Sequence, residues 1–170
     1  MIKSKIKIVR QVGAIVPEFA TEFSAGADLY AFLKKPKAKE YIEYKGDKYS
    51  IDISDQSDHI TIKLKPGGRV LIPTGIKMAI PVGYEAQIRP RSGNALKKGL
   101  TVLNAPGTID ADYRGDIGVI LYNSSEEVIH INHGDRIAQL IVSAVCDIEF
   151  EDAEKLPDTK RGEGGFGHTG

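Results

Sequence analysis

The chain has 170 residues, 41% of them hydrophobic, enough for one well-buried core and too few for two ordinary domains. Its 23 basic residues balance 23 acidic ones, so no global field draws it to nucleic acid or to an anionic membrane. Any anionic ligand must be met locally.

The opening stretch, Met1-Ile2-Lys3-Ser4-Lys5-Ile6-Lys7-Ile8, alternates charged and apolar residues and lacks the apolar run of a signal peptide or membrane span. A soluble, cytoplasmic protein is expected. Short β-branched runs broken by Gly and Pro follow at residues 5–12, 69–73, 76–80, 84–88, 116–122, 128–131 and 137–142, a spacing that predicts an all-β barrel or sandwich. Ala25-Gly26-Ala27-Asp28-Leu29-Tyr30-Ala31 reads as a strand with one acid in a small, apolar setting, and a buried acid requires a partner. Residues 34–65 read as a surface excursion with its own hairpin, Tyr41, Ile42 and Tyr44 facing Tyr49, Ile51 and Ile53 across a Gly46-Asp47 turn.

Arg89-Pro90-Arg91-Ser92-Gly93-Asn94-Ala95 sets a fork-shaped donor, a hydroxyl and a glycine at the start of the one short helix expected, over residues 92–98. That is a candidate anion site, although a capped surface turn with a solvated arginine fits the same residues. Next, Asn104-Ala105-Pro106-Gly107 supplies a turn between the apolar pairs Val102-Leu103 and Val119-Ile120. Within that span Gly107-Thr108-Ile109-Asp110-Ala111-Asp112-Tyr113-Arg114-Gly115 reads as an active-site hairpin, its acids at a loop edge where strands can aim them.

His130 and His133 flank Ile131 without a third ligand nearby and are taken as surface residues. Arg136 suits either a phosphate or an ion pair with a neighbouring acid. Gln139, in an otherwise apolar strand, should point into a pocket or find a specific buried partner. The single cysteine, Cys146, follows an apolar run and is expected to be buried and free. Asn123-Ser124-Ser125 matches a glycosylation sequon and carries no weight without a secretory signal.

From Glu151 onward apolar residues nearly vanish, and glycines predict a mobile arm over about residues 155–170. Its Arg161 and Phe166 suit a flap that closes over a ligand. Gly162-Glu163-Gly164-Gly165-Phe166-Gly167 satisfies the dinucleotide fingerprint only formally, since no strand-to-helix unit surrounds it.

Taken in order, AGADLYA at 25–31, RPRSGNA at 89–95, NAPGTIDADYRG at 104–115, GDRIAQLI at 134–141 and RGEGGFGHTG at 161–170 resemble the motifs of the homotrimeric dUTP pyrophosphatases. Five ordered motifs are far more specific than one. The resemblance covers nearly the whole of a single domain over residues 1–170, except the 34–65 excursion. It implies a distorted jelly-roll β-barrel, three subunits sharing each active site, and a tail that crosses to a neighbour's site.

The activity so implied is hydrolysis of dUTP to dUMP and pyrophosphate, which keeps uracil out of DNA and supplies dUMP for dTMP synthesis. Asp110 would be the general base and Asp28 would hold magnesium-bound waters, Mg2+ being the implied cofactor. Arg91, Ser92, Gly93, Gln139 and Arg161 match the phosphate-binding positions. Asn104, Gly107, Ile109 and Tyr113 match those around uracil and deoxyribose, with Phe166 stacking on the base. Two motif positions depart from the family: Asn94 stands where leucine is usual, and His168 where the tail usually has serine, with Thr169 a possible substitute.

Two other readings compete. A dCTP deaminase of the same fold would need a catalytic glutamate near Ile120, and an isoleucine cannot transfer a proton. A dUTP-binding regulatory module would use the 34–65 excursion to hold a protein partner, and the intact acids argue against binding alone.

Overall fold

Alternation along one long strand organises the molecule. In the computed structural model, which describes residues 5–34, 45–53 and 60–165, strands form at β1 Lys7–Arg10, β2 Glu18–Phe19, β3 Ala27–Tyr30, β4 Gly46–Ile53, β5 Ile60–Pro73, β6 Ile76–Ala79 and β7 Tyr84–Arg89. A single helix among the described residues, α1 Ser92–Lys98, precedes β8 Leu100–Val102, β9 Gly107–Ile109, β10 Gly118–Asn123, β11 Ile129–Asn132 and β12 Arg136–Ala144. In β5, Ile60, Ile62, Leu64, Val70 and Ile72 are buried, as the period of two requires for a strand with one face on the core.

β5 pairs with β11 along its first half, with β10 along its second, and with β4 on its other side; β8 extends this sheet beyond β10. The second sheet runs β2-β3-β12-β7-β9, and β1 pairs with β6 in a separate ladder. All these pairings are antiparallel. The inner faces of the two sheets meet through Leu29, Ala86, Ile88, Ala138 and Leu140 on one side and Ile62, Leu64, Ile72, Val119 and Leu121 on the other. Each large aliphatic side chain so buried contributes about 1.5–3 kcal/mol. The architecture is the distorted all-β jelly roll expected, and the one helix falls where the sequence placed it.

Five local expectations are corrected. The surface excursion does not extend to residue 65: Ile60, Ile62 and Leu64, in the first half of β5, are buried in the core and this stretch pairs with β11. Gly46 and Asp47 do not turn: they lie in β4, opposite Val70 and Arg69, and residues 41–44 fall outside the described residues. A Cβ on Gly46 would lie within van der Waals overlap of the Arg69 carbonyl, so this glycine serves close backbone approach, which the sequence pattern of a turn imitates. Cys146 is exposed, because β12 ends at Ala144 and the chain leaves the sheet before reaching it. His133 is half-buried, its Nδ1 accepting the Leu33 N–H at 3.1 Å and its ring edge-on to Phe32, whereas His130 is at the surface as expected. The active-site segment is not a simple hairpin: β8 and β10 do pair, but β9 between them crosses to the other sheet and pairs with β7.

Asn123, the sequon asparagine, is fully buried at the end of β10. Its amide donates to the Leu64 and Glu127 carbonyls at 2.9 and 2.7 Å, and its oxygen accepts from the Ser125 N–H and hydroxyl. All four of its hydrogen-bonding positions are satisfied, which ties the β10–β11 turn to β5.

Candidate active site

The crossing of β9 builds a cavity of about 260 Å³ between the two sheets' edges. Asn104, Gly107, Ile109, Asp110 and Tyr113 line it, all five expected around a base and sugar or as the base catalyst. Ile88, Leu71 and Ile120 give it an apolar floor. Asp110 is exposed immediately after β9, and its carboxylate has no hydrogen-bond or ion-pair partner among the described residues. The turn behind it is braced twice: the Tyr113 N–H donates to the Asp110 carbonyl at 3.2 Å, and Arg114 donates to the Ala111 and Tyr113 carbonyls at 2.7 and 2.8 Å. Tyr113 donates its hydroxyl to the Asp116 carbonyl at 3.0 Å, with its ring lying over Gly115. A Cβ on Gly115 would come 2.5 Å from the ring carbon bearing the hydroxyl, so only glycine lets the phenol rest there. Arg114 and Gly115 belong to the motif but were assigned no role from sequence; their contacts are purely local and leave no periodic signal.

A second cavity, of about 310 Å³, lies at the other end of the β2-β3-β12-β7-β9 sheet. Asp28, Arg91, Ser92, Gly93 and Gln139 line it together with Gly26. Asp28 finds the partners its burial requires: Arg91 grips both of its oxygens, at 2.7 and 3.3 Å, and Arg136 approaches at 3.4 Å. Arg136 therefore makes the ion pair, through one nitrogen. Beside this cluster Tyr30 is held above its ordinary pKa near 10, by burial first and then by the negative charges of Glu18 and Asp28.

Gln139 points into the cavity as expected and donates to the Pro90 carbonyl at 2.9 Å. A Cβ on Gly26 would sit 2.6 Å from its amide oxygen, so Gly26 leaves the room this side chain uses. No side chain caps α1, and the first-turn amides of Ser92 and Gly93 remain open to a ligand.

Asp28 and Asp110 belong to different ends of one sheet, with β12 and β7 between β3 and β9. Three strand spacings of about 4.8 Å, together with an offset of about four residues along β7, make the separation on the order of 20 Å. Arg161 donates to the Gly164 carbonyl at 2.7 Å within its own arm, and Phe166, His168 and Thr169 lie outside the described residues. The arm before it is exposed along its length, with Ile148, Phe150 and Leu156 facing outward.

A cavity of nucleoside size edged by a carboxylate without a partner among the described residues, and a second cavity lined by Asp28, Arg91 and Gln139, thus lie on one sheet of the jelly roll. The family model for dUTPase matches residues 51–170. A relative named deoxyuridine 5'-triphosphate nucleotidohydrolase, from Fusobacterium nucleatum subsp. nucleatum, is 43% identical over 170 residues, covering 100% of this chain and 99% of its own. Another of that name, from Syntrophotalea carbinolica, is 45% identical over 157 residues, 92% of this chain and 90% of its own. Among solved structures, a mutant of the phage 80alpha dUTPase superposes with a TM-score of 0.74 at 23% identity, covering 99% of this chain and all of that one. The chain belongs to the dUTPase family.

Proposed function

We propose that this chain hydrolyses dUTP to dUMP and pyrophosphate, with Asp110 as general base, at sites assembled from more than one copy. The observation that carries the reading is the division of labour across one sheet: a free carboxylate beside a nucleoside-sized cavity at one edge, and at the other a cavity where Arg91, Gln139 and the open amides of α1 converge. A homotrimer in which Asp110 of one copy faces the Asp28 cavity of the next would bring the halves together. The exposed arm would carry Arg161 and Phe166 to a neighbour's site, onto the far phosphates and the uracil.

In this mechanism Asp110 accepts a proton from water as the water attacks the α-phosphorus in line, a role worth about 10²–10⁴ in rate. Arg91, the amides of Ser92 and Gly93, and Gln139 hold the phosphates. Asn104, Gly107 and Ile109 frame the uracil with fixed donors and acceptors, so cytosine leaves groups unpaired. Tyr113 blocks a ribose 2′-hydroxyl.

The residues present also fit Mg2+. Asp28 lines the second cavity, and its carboxylate keeps lone pairs beyond those that Arg91 and Arg136 engage. That suits an ion held mainly by substrate phosphates, with Asp28 accepting from its coordinated waters. When bound, the ion supplies positive charge against the triphosphate.

The rival deaminase reading is not favoured, since half-buried, apolar Ile120 lines the cavity where that chemistry would need an acid. A cytoplasmic setting belongs to the same proposal; no helix among the described residues is long and apolar enough to cross a membrane. So does a protein partner on the 34–65 segment, where β4 leaves its outer edge unpaired among the described residues.

The test is chromatographic product analysis with magnesium and dUTP, dCTP, dTTP or UTP in separate reactions. Selective conversion of dUTP to dUMP and pyrophosphate is expected. Ammonia from dCTP would overturn the assignment in favour of deamination, and binding of dUTP without turnover would replace it with a regulatory module.

A further inference from the structure

Behind α1 lies a third cavity, of about 210 Å³, whose walls hold more hydrogen-bond donors than acceptors. Arg91, Asn94, Lys98, His130, Asp135 and Arg136 form the walls, over an apolar floor that includes Leu100 and Ile131. The one acid among them, Asp135, keeps its negative charge and accepts the Asn132 N–H through one oxygen at 2.8 Å, so the cavity's net positive charge rests on Lys98 and the arginines. Lys98 has no ion-pair or hydrogen-bond partner among the described residues. Arg136 is half exposed and spends one nitrogen on Asp28 at 3.4 Å, leaving most of its five N–H donors unmet.

Asn94 gives the cavity its polar character. Its amide donates to the Arg136 carbonyl at 2.9 Å, fastening α1 against β12 where the register with β3 shifts between Arg136 and Ala138. The leucine usual at this position in the family could not make that bond and would present a branched apolar side chain instead.

We propose that this cavity is a second binding site, distinct from the Asp28 cavity, for a small inorganic phosphoanion. The Lys98 ammonium, without an acceptor among the described residues, and the N–H groups of Arg136 not spent on Asp28 match the charge and geometry of phosphate oxygens. The site communicates with the first, because Arg91 lines both cavities and Arg136 joins the third cavity to Asp28. An anion drawing on Arg136 competes with Asp28 for the same guanidinium and slows turnover. This braking effect rests on the proposed hydrolysis; the binding does not. Free phosphate and the product pyrophosphate share the required chemistry.

Calorimetry on the full chain tests the binding, with the Asp28 cavity first saturated by a non-hydrolysable dUTP analogue, and phosphate or pyrophosphate then titrated separately. Residual anion binding is expected in the saturated protein, weakened about tenfold in Lys98→Ala, the loss of one charge-assisted contact, and unchanged in Lys77→Ala on β6. Tighter binding of pyrophosphate assigns the site to the product, and tighter phosphate to the free ion. In kinetics, the preferred anion should lower kcat for dUTP with KM unchanged, and Lys98→Ala should resist it while matching the parent without added anion. Absence of anion binding once the analogue is bound, or equal affinity in Lys98→Ala and the parent, would overturn the proposal. Failure of the analogue itself to bind would instead count against the dUTP reading, and anion binding weakened by Lys98→Ala would then still support the site.

Discussion

Asp28 on β3 and Gln139 on β12 are register partners, so the acid that holds two arginines and the amide that faces the anion cavity share one rung of the sheet. Their geometry is common property: moving one side chain disturbs the other's surroundings.

Gly26→Ala tests that rung. The added methyl would meet the Gln139 amide oxygen at 2.6 Å and its Cβ at 3.3 Å, forcing the amide from the Pro90 carbonyl. We expect kcat/KM for dUTP to fall about tenfold or more, equivalent to loss of one hydrogen bond to a charged group, with the thermal midpoint within a few degrees of the parent. Unchanged kinetics would show that Gln139 does not contact substrate.

Asp110→Asn keeps the shape of the carboxylate and removes its basicity. dUTP affinity should stay near that of the parent by calorimetry, while kcat drops about 10²–10⁴-fold. Near-normal turnover would remove Asp110 from the role of base.

Gly115→Ala should displace the Tyr113 ring, since the new methyl overlaps the phenol. The expected consequence is a weaker bar against ribose, read as a rise of several-fold in the ratio of UTP to dUTP turnover. A uniform loss on both substrates would point to collapse of the turn instead.

Asn123→Ala should destabilise the fold without touching either cavity. It strands the Leu64 and Glu127 carbonyls and the Ser125 N–H in or near the core, at a cost of about 1–3 kcal/mol for each group left buried and unsatisfied. Urea unfolding would show a lower midpoint at constant slope; an unchanged midpoint would mean that water replaces the lost bonds.

Much of this architecture is legible in residue order because short strands carry their own signal. The 92–98 helix needs only local reading. So does the demand that Asp28 be paired, although which arginines answer it depends on β12 lying beside β3. The first half of β5 reads instead as part of a surface excursion, whereas its Ile60, Ile62 and Leu64 are buried in the core. What was not legible depends on partners distant in sequence. Nothing in Gly107-Thr108-Ile109 says that it pairs with β7 rather than continuing a hairpin, and Gly46 beside Asp47 looks like a turn until the backbone of β5 is seen against it. Cys146 and His133 were misjudged for the same reason, since burial is decided by where the neighbouring segment leaves the sheet. The separation of Asp28 from Asp110 was equally hidden, because motif order along a chain carries no distance.

That separation has a genetic consequence. If each site draws its base from one copy and its phosphate grip from another, two inactive alleles can rescue each other. Co-assembling Asp110→Asn chains with Gln139→Ala chains in equal amounts would leave about one site in four with both parts intact, by random mixing in a symmetric oligomer. Each parent alone would have none. A cell carrying both damaged copies would keep a working fraction of the enzyme, and a screen for loss of function would score neither allele as fully recessive or fully dominant.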